Sequence, residues 1–389
     1  MIMFETIATL PGLASGALAG VPLASFINPI LMTPTALQFL WFLLIAVLLI
    51  GYFVLDGFDL GSGALYPFIA KTEKEKALVR RSVGPIWDGN EVWLLTAGGA
   101  LFAAFAAAYA TSFSGFYLAI MLVLFGLIAR AVAIEFRSIS TTLPRFFDIA
   151  FFIGSALPAL LFGVAIGNVI QGLPLNEIGD YAGLALIGLL RPFPLACGLL
   201  SLSVMLLQGA SWQALKQPVE GAVRARAIKL RRLFLYVVPV VFLLCSALYF
   251  FICEPEVGVW SIGEILRYAS VVVILAAVLV GFLTTGSSSL SKRKKEPTTG
   301  LKQKDVYGFL SVCFIPVGLI VLTAATLYPY LIPSLGPGPS ISVASAGGSD
   351  LALTAMAIIA CIGVPLVLVY HVIVYRTFRG RLKDKDLKH

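Results

Sequence analysis

The hydrophobic residues of this chain lie in long runs that short polar segments separate. A helix of about 20 apolar residues is long enough to cross the roughly 30 Å hydrocarbon core of a bilayer. The runs predict nine such helices, near residues 37–55, 90–112, 114–134, 146–170, 193–214, 233–252, 267–284, 306–329 and 351–375. We therefore expect an all-α integral membrane protein with about nine transmembrane helices.

The composition agrees with this expectation. Hydrophobic residues make up 59% of the 389 positions and charged residues only 12%, far from the balance of a soluble domain. The net charge of +8 needs no nucleic acid to explain it, because the cytoplasmic connections of membrane proteins collect Lys and Arg. The charge is therefore better used to predict orientation.

The basic residues occupy alternate connections along the chain. Of the 28 Lys and Arg residues, all except Arg191 and Arg267 lie in or border five segments that would share one side of a bilayer. Because that side is normally the cytoplasm, we expect the amino terminus outside and the carboxyl terminus inside. An odd number of helices requires the same arrangement.

The charge pattern also divides the chain. Residues 1–35 contain no Lys or Arg, so they lack the charged start of a secretory signal and are predicted to form an outer-face segment. Residues 36–378 are predicted to be a single transmembrane domain, and residues 379–389 a cytoplasmic tail. Within the domain, the stretch GSSSLSKRKKEPTTGLKQK is expected to be a mobile cytoplasmic linker that contacts anionic lipid head groups.

Four carboxylates lie where two predicted helices meet the cytoplasmic face. Asp56 and Asp59 are three residues apart at the end of the first helix, and Asp88 and Glu91 are three apart at the start of the second. Residues three apart can share a helix face, and helices joined by a loop of this length are expected to be neighbours. The two pairs are therefore expected to form one inward-facing acidic cluster, as a proton entrance requires.

The same acids have structural explanations that the residues alone do not exclude. Asp88 near a helix N-terminus is a favourable cap and dipole partner. Asp56 and Asp59, beside glycines, can end the first helix in a turn while pairing with Arg80 or Arg81. Capping and ion pairing therefore stand beside proton handling as interpretations of the cluster.

Other polar and aromatic residues near this face favour structural roles. Trp87 and Trp93 flank the acidic element and fit aromatic anchors at the level of the lipid head groups. Arg130, Glu135 and Arg137 are expected to form a structural ion network at the inner boundary. None of the five is predicted to be catalytic from its pattern alone.

Metal and haem ligands are scarce in the sequence. His371 is the only histidine in a predicted helix, because His389 is the last residue, so two helices of this chain cannot supply a two-histidine haem site. The five cysteines are scattered without a C-x-x-C pair and are expected to be small packing residues. We therefore predict no metal site in this chain.

Several motifs are specific enough to indicate a family. DGFDLG ends the first predicted helix, WDGNEVWLLTAGGALFAAF opens the second, FSGFYLAIMLVL opens the third, FRS follows the third, and GNVIQGLP lies at the outer end of the fourth. In this order and spacing they resemble subunit II of cytochrome bd quinol oxidase. The resemblance is dense over about residues 40–175 and continues more thinly through LLQGA, RARA and LYPYLIPS.

The resemblance implies two four-helix bundles plus one peripheral helix, in a respiratory complex of the bacterial inner membrane. Such a complex oxidises membrane quinol and reduces O2 to water, taking protons from the cytoplasm. In this family subunit I carries the quinol site, two haem b and one haem d, while subunit II ligates no haem and completes and stabilises the heterodimer. Lipids, a bound quinone and small accessory membrane subunits are further partners that the resemblance allows.

The resemblance also implies roles for individual residues. Asp88 matches the Asp of a WDGN motif that is associated with a proton path, and Asp56 and Asp59 would lie near the entrance of that path. Trp93 matches a residue associated with a lateral oxygen route. Glu91 occupies a position where relatives can carry an amide, so it is expected either to tune the entrance or to be solvated.

Two other classes of protein compete with this interpretation. A secondary transporter with an inner-face carboxylate cluster would be favoured by a midplane charge or by unwound half-helices in paired halves, whereas the acids here gather at the inner boundary. A purely structural membrane subunit would use its acids only as caps. Substituting all four acids separates the structural class from a proton-conducting one.

Overall fold

The computed structural model describes residues 33–140, 142–253, 261–289 and 303–383. Most of the predicted outer-face segment 1–35, most of the Lys-rich linker and the end of the predicted tail lie outside these ranges. The described residues form thirteen α-helices and one two-stranded antiparallel sheet. The chain is therefore all-α, as its hydrophobic pattern predicts.

The elements follow one another with short connections. The first seven helices are α1 (Ala36–Leu55), α2 (Gly57–Ile69), α3 (Glu73–Val83), α4 (Trp87–Ala104), α5 (Ala106–Gly115), α6 (Tyr117–Phe136) and α7 (Pro144–Gln171). The remaining elements are α8 (Pro192–Lys216), α9 (Ala222–Ile252), α10 (Ser261–Ser289), α11 (Gln303–Leu327), β1 (Tyr330–Ile332), β2 (Ile341–Ser342), α12 (Val343–Ala346) and α13 (Asp350–Thr377). The sheet lies in the connection between α11 and α13.

Eight segments of the described residues are long and apolar enough to cross a membrane, the first being α1 and α2 together. The second predicted helix, 90–112, is not among them, because Phe105 (φ −137°, ψ 63°) divides it into α4 and α5. At this break the carbonyl of Ala104 accepts a hydrogen bond from the amide of Gly348. The count of nine helices and their division into two four-helix bundles plus a peripheral helix remain predictions.

Helix α2 lies at the centre of the packing, against both α7 and α8. It contacts α8 backbone to backbone: a Cβ atom added to Gly61 would lie 1.8 Å from the carbonyl oxygen of Met205, and one added to Gly209 would lie 2.3 Å from the carbonyl carbon of Gly61. Such close approach through small residues is typical of membrane helices. The crossing holds the end of α1 and the start of α2 against α8.

Ion pairs join the basic connections at one end of the helices. Arg226 of α9 binds Glu75 of α3 at 2.9 Å, and this contact lowers the pKa of Glu75 to about 2. Arg224 and Arg381 both bind Asp305 of α11, at 2.9 and 2.5 Å. Connections that the charge pattern assigns to one side of the membrane are therefore also neighbours in space.

Candidate functional site

The site begins at a break in the first membrane segment. Asp56 lies between α1 and α2, and its side chain is fully buried. The next residue is Gly57, where an added Cβ would lie 2.5 Å from Oε1 of Gln208 on α8. A larger side chain at this position would displace the amide of Gln208, so α8 contacts the break closely, while the Asp56 carboxyl pairs with a residue of α6.

The partner of Asp56 is a buried arginine of α6. Nη1 of Arg130 lies 2.7 Å from Oδ1 of Asp56, and both side chains are completely buried. Nη2 of the same guanidinium lies 3.3 Å from Oε2 of Glu91 on α4, and the guanidinium also lies over the ring of Trp87. One cation thus joins two carboxyls, one at the break between α1 and α2 and one on α4.

Side chains of α4 and α13 fix the position of Asp59 through a chain of hydrogen bonds. Its Oδ2 accepts a hydrogen bond of 2.7 Å from Nδ2 of Asn90, while Oδ1 of Asn90 accepts one of 3.0 Å from the hydroxyl of Tyr375. The other oxygen, Oδ1 of Asp59, is buried without a hydrogen-bond partner among the described protein groups, as is Oδ2 of Asp56. Each buried aspartate therefore keeps one oxygen available for a proton or a water molecule.

The four predicted acids differ in exposure. Asp88 in the first turn of α4 is exposed and makes no ion pair with the described residues. Glu91, one turn further, keeps 20% of its side chain exposed, and Asp56 and Asp59 are buried. The structure brings Asp56, Asp59 and Glu91 together around Arg130 and Asn90, with Asp88 at the exposed edge on the same helix as Glu91.

Trp93 lies inside the protein rather than at its surface. Its side chain is only 7% exposed, and a Cβ atom added to Gly51 on α1 would lie 2.2 Å from the indole ring. The indole N–H donates a 3.3 Å hydrogen bond to Nε2 of His371, whose Nδ1 lies 2.8 Å from the carbonyl of Val367. Trp93 is thus fixed between α1 and α13, which differs from the anchor at the head groups that its pattern predicts.

We expect His371 to stabilise this arrangement through its accepting nitrogen. His371→Leu leaves the buried indole N–H of Trp93 unpaired, which costs about 1–3 kcal/mol, whereas His371→Gln offers an amide oxygen in its place. The thermal unfolding midpoint of the purified complex, followed by tryptophan fluorescence, measures the difference. Equal midpoints for the two variants would contradict the hydrogen-bond assignment.

Arg130, Glu135 and Arg137 do not form the single ion network that the sequence predicts. Arg130 pairs with Asp56 and Glu91, whereas Arg137 pairs with Glu73 and Asp148, at 2.5 and 2.9 Å. Glu135 is exposed and accepts a 3.3 Å hydrogen bond from the indole N–H of Trp87. The two arginines are seven residues apart on one helix, so their side chains reach different neighbours at different depths.

Arg80 and Arg81 do not pair with the acids of the DGFD motif. Arg80 binds the hydroxyl of Tyr66 and lies 3.7 Å from Asp148, and Arg81 is exposed. The buried Arg130 takes the place that the sequence-based expectation gave to these two residues.

His371 does not fit an axial haem ligand in this arrangement. It is the only histidine among the described residues, and both of its ring nitrogens already have partners. The same residues contain no group of three or more His, Cys, Asp and Glu side chains suited to a metal ion.

Sequence reasoning missed Asn90 and Tyr375. Asn90 is completely buried. It lies inside the WDGN motif, so the sequence did offer a signal: an amide at the start of an apolar helix. Tyr375 offers no such signal, since it reaches Asn90 from α13, which is 285 residues away along the chain. Only the tertiary structure places it beside Asp59.

Comparison with known proteins identifies a family. The model described as cytochrome bd terminal oxidase subunit II matches residues 37–378. The "Probable cytochrome oxidase subunit 2" of Haemophilus influenzae is 36% identical, over 89% of this chain and 95% of that protein. The "Cytochrome bd-I ubiquinol oxidase subunit 2" of Escherichia coli K12 is 35% identical, over 90% and 97%.

A more distant relative and a solved structure agree with these matches. The "Cytochrome bd ubiquinol oxidase subunit 2" of Bacillus subtilis is 30% identical, over 90% of this chain and 98% of that protein. A chain of the bd oxidase structure from Geobacillus thermodenitrificans superimposes with a TM-score of 0.68 at 15% identity, over 88% of this chain and 99% of the other. At that identity the superposition shows a shared fold alone.

Proposed function

Because the chain belongs to the cytochrome bd terminal oxidase subunit II family, we propose that it conducts protons from the cytoplasm towards the haem-bearing subunit. The chain is a subunit of a cytochrome bd ubiquinol oxidase, an oxidoreductase complex of the inner membrane. Membership implies haem in the complex and a subunit I partner. It does not favour the transporter alternative.

The observation that carries the proposal is the order of burial among the carboxyls. Asp88 is exposed, Glu91 is partly buried, and Asp56 and Asp59 are buried. A proton that Asp88 takes from water can pass through Glu91 to the buried aspartates, each of which has an oxygen without a protein partner. Asp88 is therefore the main relay, and the other three acids support it.

Arg130 supplies the fixed charge that this path needs. If Asp56, Asp59 and Glu91 were all ionised, three buried or half-buried anions would share one guanidinium, and burying uncompensated charge is costly. A proton held within the cluster removes part of that cost, while Arg130 stabilises the carboxylates left behind. The cluster is thus suited to receive and release a single proton.

The remaining assignments concern the complex. We propose that the amino terminus is outside, and that subunit I covers the face of α4 where Gly98 and Gly99 have no described residue within 4 Å. Subunit I would hold the quinol site, two haem b and one haem d, and subunit II would stabilise it in the heterodimer. The oxygen route at Trp93 rests on the family resemblance.

A bound quinone has a suitable place in this chain. An apolar cavity of about 640 Å³ lies between α8, α9, α10 and α11, and its lining includes Phe193, Phe242 and Tyr249. Ligand pockets of this size and polarity usually hold apolar rings or chains. We propose this cavity for the structural quinone that the family allows.

Asp88→Asn tests the proton path in the intact complex. We expect quinol oxidase turnover to fall by at least about tenfold, because relayed proton transfer typically contributes about 10²–10⁴-fold. The deficit should grow as the pH rises, since protons become scarce at the entrance. Oxygen consumption measured across a pH series, on preparations with equal haem content, shows both effects.

The matched control is Asp350→Asn. Asp350 is also exposed and lies in the first turn of a membrane helix, but it begins α13 at the opposite end from Asp88. This variant should keep the turnover and pH profile of the unaltered complex. If Asp88→Asn behaves like it, the relay assignment is wrong.

A further inference from the structure

A second cavity, of about 450 Å³, lies at the end of the protein where the basic connections meet. Its walls come from the junction of α3 and α4, from the end of α8, and from the residues that follow α13. Three separate parts of the chain thus form it. None of the acids of the proposed proton path lines it.

Among the residues that the structure describes, the charged side chains lining the cavity are all basic. They are Arg81, Lys216, Arg379 and Arg381. Arg381 pairs with Asp305, which also binds Arg224. The described part of this region therefore keeps an excess of positive charge even after the ion pairs of Asp305 are counted.

The cavity is held in shape by specific contacts. Nζ of Lys216 donates a 2.5 Å hydrogen bond to the carbonyl of Phe378, and the amide of Leu382 donates one to the carbonyl of Lys216. Nη1 of Arg381 donates to the carbonyls of Ala214 and Gln217. The segment after α13 is thus fixed across the end of α8, which makes the basic surface a preformed feature.

One buried donor in this wall lacks a partner. The Arg381 side chain is only 8% exposed, and its Nε has no hydrogen-bond partner among the described protein groups. Burial also lowers the pKa of this guanidinium below its ordinary value, and Asp305 opposes the effect. An anion in the cavity would compensate both the unpaired donor and the buried charge.

At the mouth, Arg81 and Arg379 are exposed and make no ion pair with the described residues. Trp212 and Tyr375 line the cavity as well and give it an apolar wall. Planar guanidinium groups suit the oxygens of a phosphate group. We propose that this cavity is a binding site for a phosphate group, with Arg81, Arg379 and Arg381 as its ligands.

Two sources can supply that group. Basic pockets at the cytoplasmic ends of membrane helices bind the head groups of anionic lipids, and a soluble phosphate reaches the same surface from the cytoplasm. The aromatic wall favours the lipid, because the glycerol and upper acyl carbons need an apolar surface. The site does not depend on the proton path, so each can fail without the other.

The test uses the purified complex and two probes, phosphatidylglycerol and inorganic phosphate. Binding of the lipid is titrated by native mass spectrometry, and binding of phosphate by calorimetry. Arg81→Gln with Arg379→Gln is expected to weaken lipid binding by about 30-fold, because each charge near an anionic lipid surface contributes about five- to sixfold. Arg81→Lys with Arg379→Lys keeps both charges without the planar groups and should lose less affinity than the glutamine pair.

Lys229→Gln with Arg232→Gln is the matched control. Both residues are exposed at the basic end of α9 and line neither cavity, and the change in net charge is the same. Loss of lipid binding only in the arginine pair supports a lipid head group at the site, and loss of phosphate binding alone supports a soluble phosphate. If both pairs leave both ligands bound equally, or weaken them equally, the site does not exist as proposed.

Discussion

Replacing Arg130 by methionine is expected to remove most of the assembled subunit from the membrane. The substitution deletes the ion pair that Asp56 makes with Arg130 and leaves a buried carboxylate, with Glu91 close by. Removing one partner of a buried ion pair costs about 3–5 kcal/mol. That is a large part of the total stability of a typical protein.

The measurements are the amount of subunit in the purified complex and the thermal unfolding midpoint of what remains. Asp56→Asn in the Arg130→Met background should recover part of the loss, because the neutral amide no longer leaves a buried charge unpaired. Arg145→Met is the control, since Arg145 is exposed near the start of α7 and the charge change is the same. Normal assembly of Arg130→Met would show that the buried pair is not needed.

Gly61→Val is expected to have the second large effect. The new Cβ would lie 1.8 Å from the backbone oxygen of Met205, and a backbone atom cannot rotate away as a side chain can. Helices α2 and α8 must therefore separate along their whole contact. Ordinary overpacking of a core lowers the free energy of unfolding by about 1–3 kcal/mol. We expect Gly61→Val to lower it by more than this.

The same assay of assembly and unfolding midpoint measures this effect. Gly61→Ala should be milder than valine but still destabilising, because it carries the same Cβ without the branch. Gly363→Val is the control, because a Cβ added to Gly363 of α13 would meet none of the described residues within 4 Å. If the unfolding midpoint of Gly61→Val lies within about one degree of that control, the contact between α2 and α8 accommodates valine and the prediction is wrong.

Much of the fold could be predicted because lipid imposes simple rules on sequence. Long apolar runs must be helical to satisfy their backbone groups, and the structure has helices wherever such runs occur among the described residues. The interruption at Phe105 could not be predicted in this way. It coincides with a hydrogen bond from Gly348, far along the chain, which no local pattern reports.

The candidate site was predictable in its members more than in its geometry. The spacing predicts two pairs of neighbouring carboxyls, Asp56 with Asp59 and Asp88 with Glu91. The structure gathers three of these acids around Arg130 and Asn90 and leaves Asp88 at the exposed edge. The partner was not predictable, since it depends on how α6 is rotated against α1. Local reasoning favoured Arg80 or Arg81, which lie close in sequence, whereas the structure supplies Arg130.

The proton path is tested most directly by timing proton uptake in a single turnover. The fully reduced complex, with a pH-indicating dye in the medium, is mixed rapidly with O2, and the dye is followed alongside the haem spectrum. We expect Asp88→Asn to slow proton uptake by at least about tenfold relative to Asp350→Asn, while O2 binding keeps its normal rate. Equal uptake rates in the two variants would contradict a proton path that begins at Asp88.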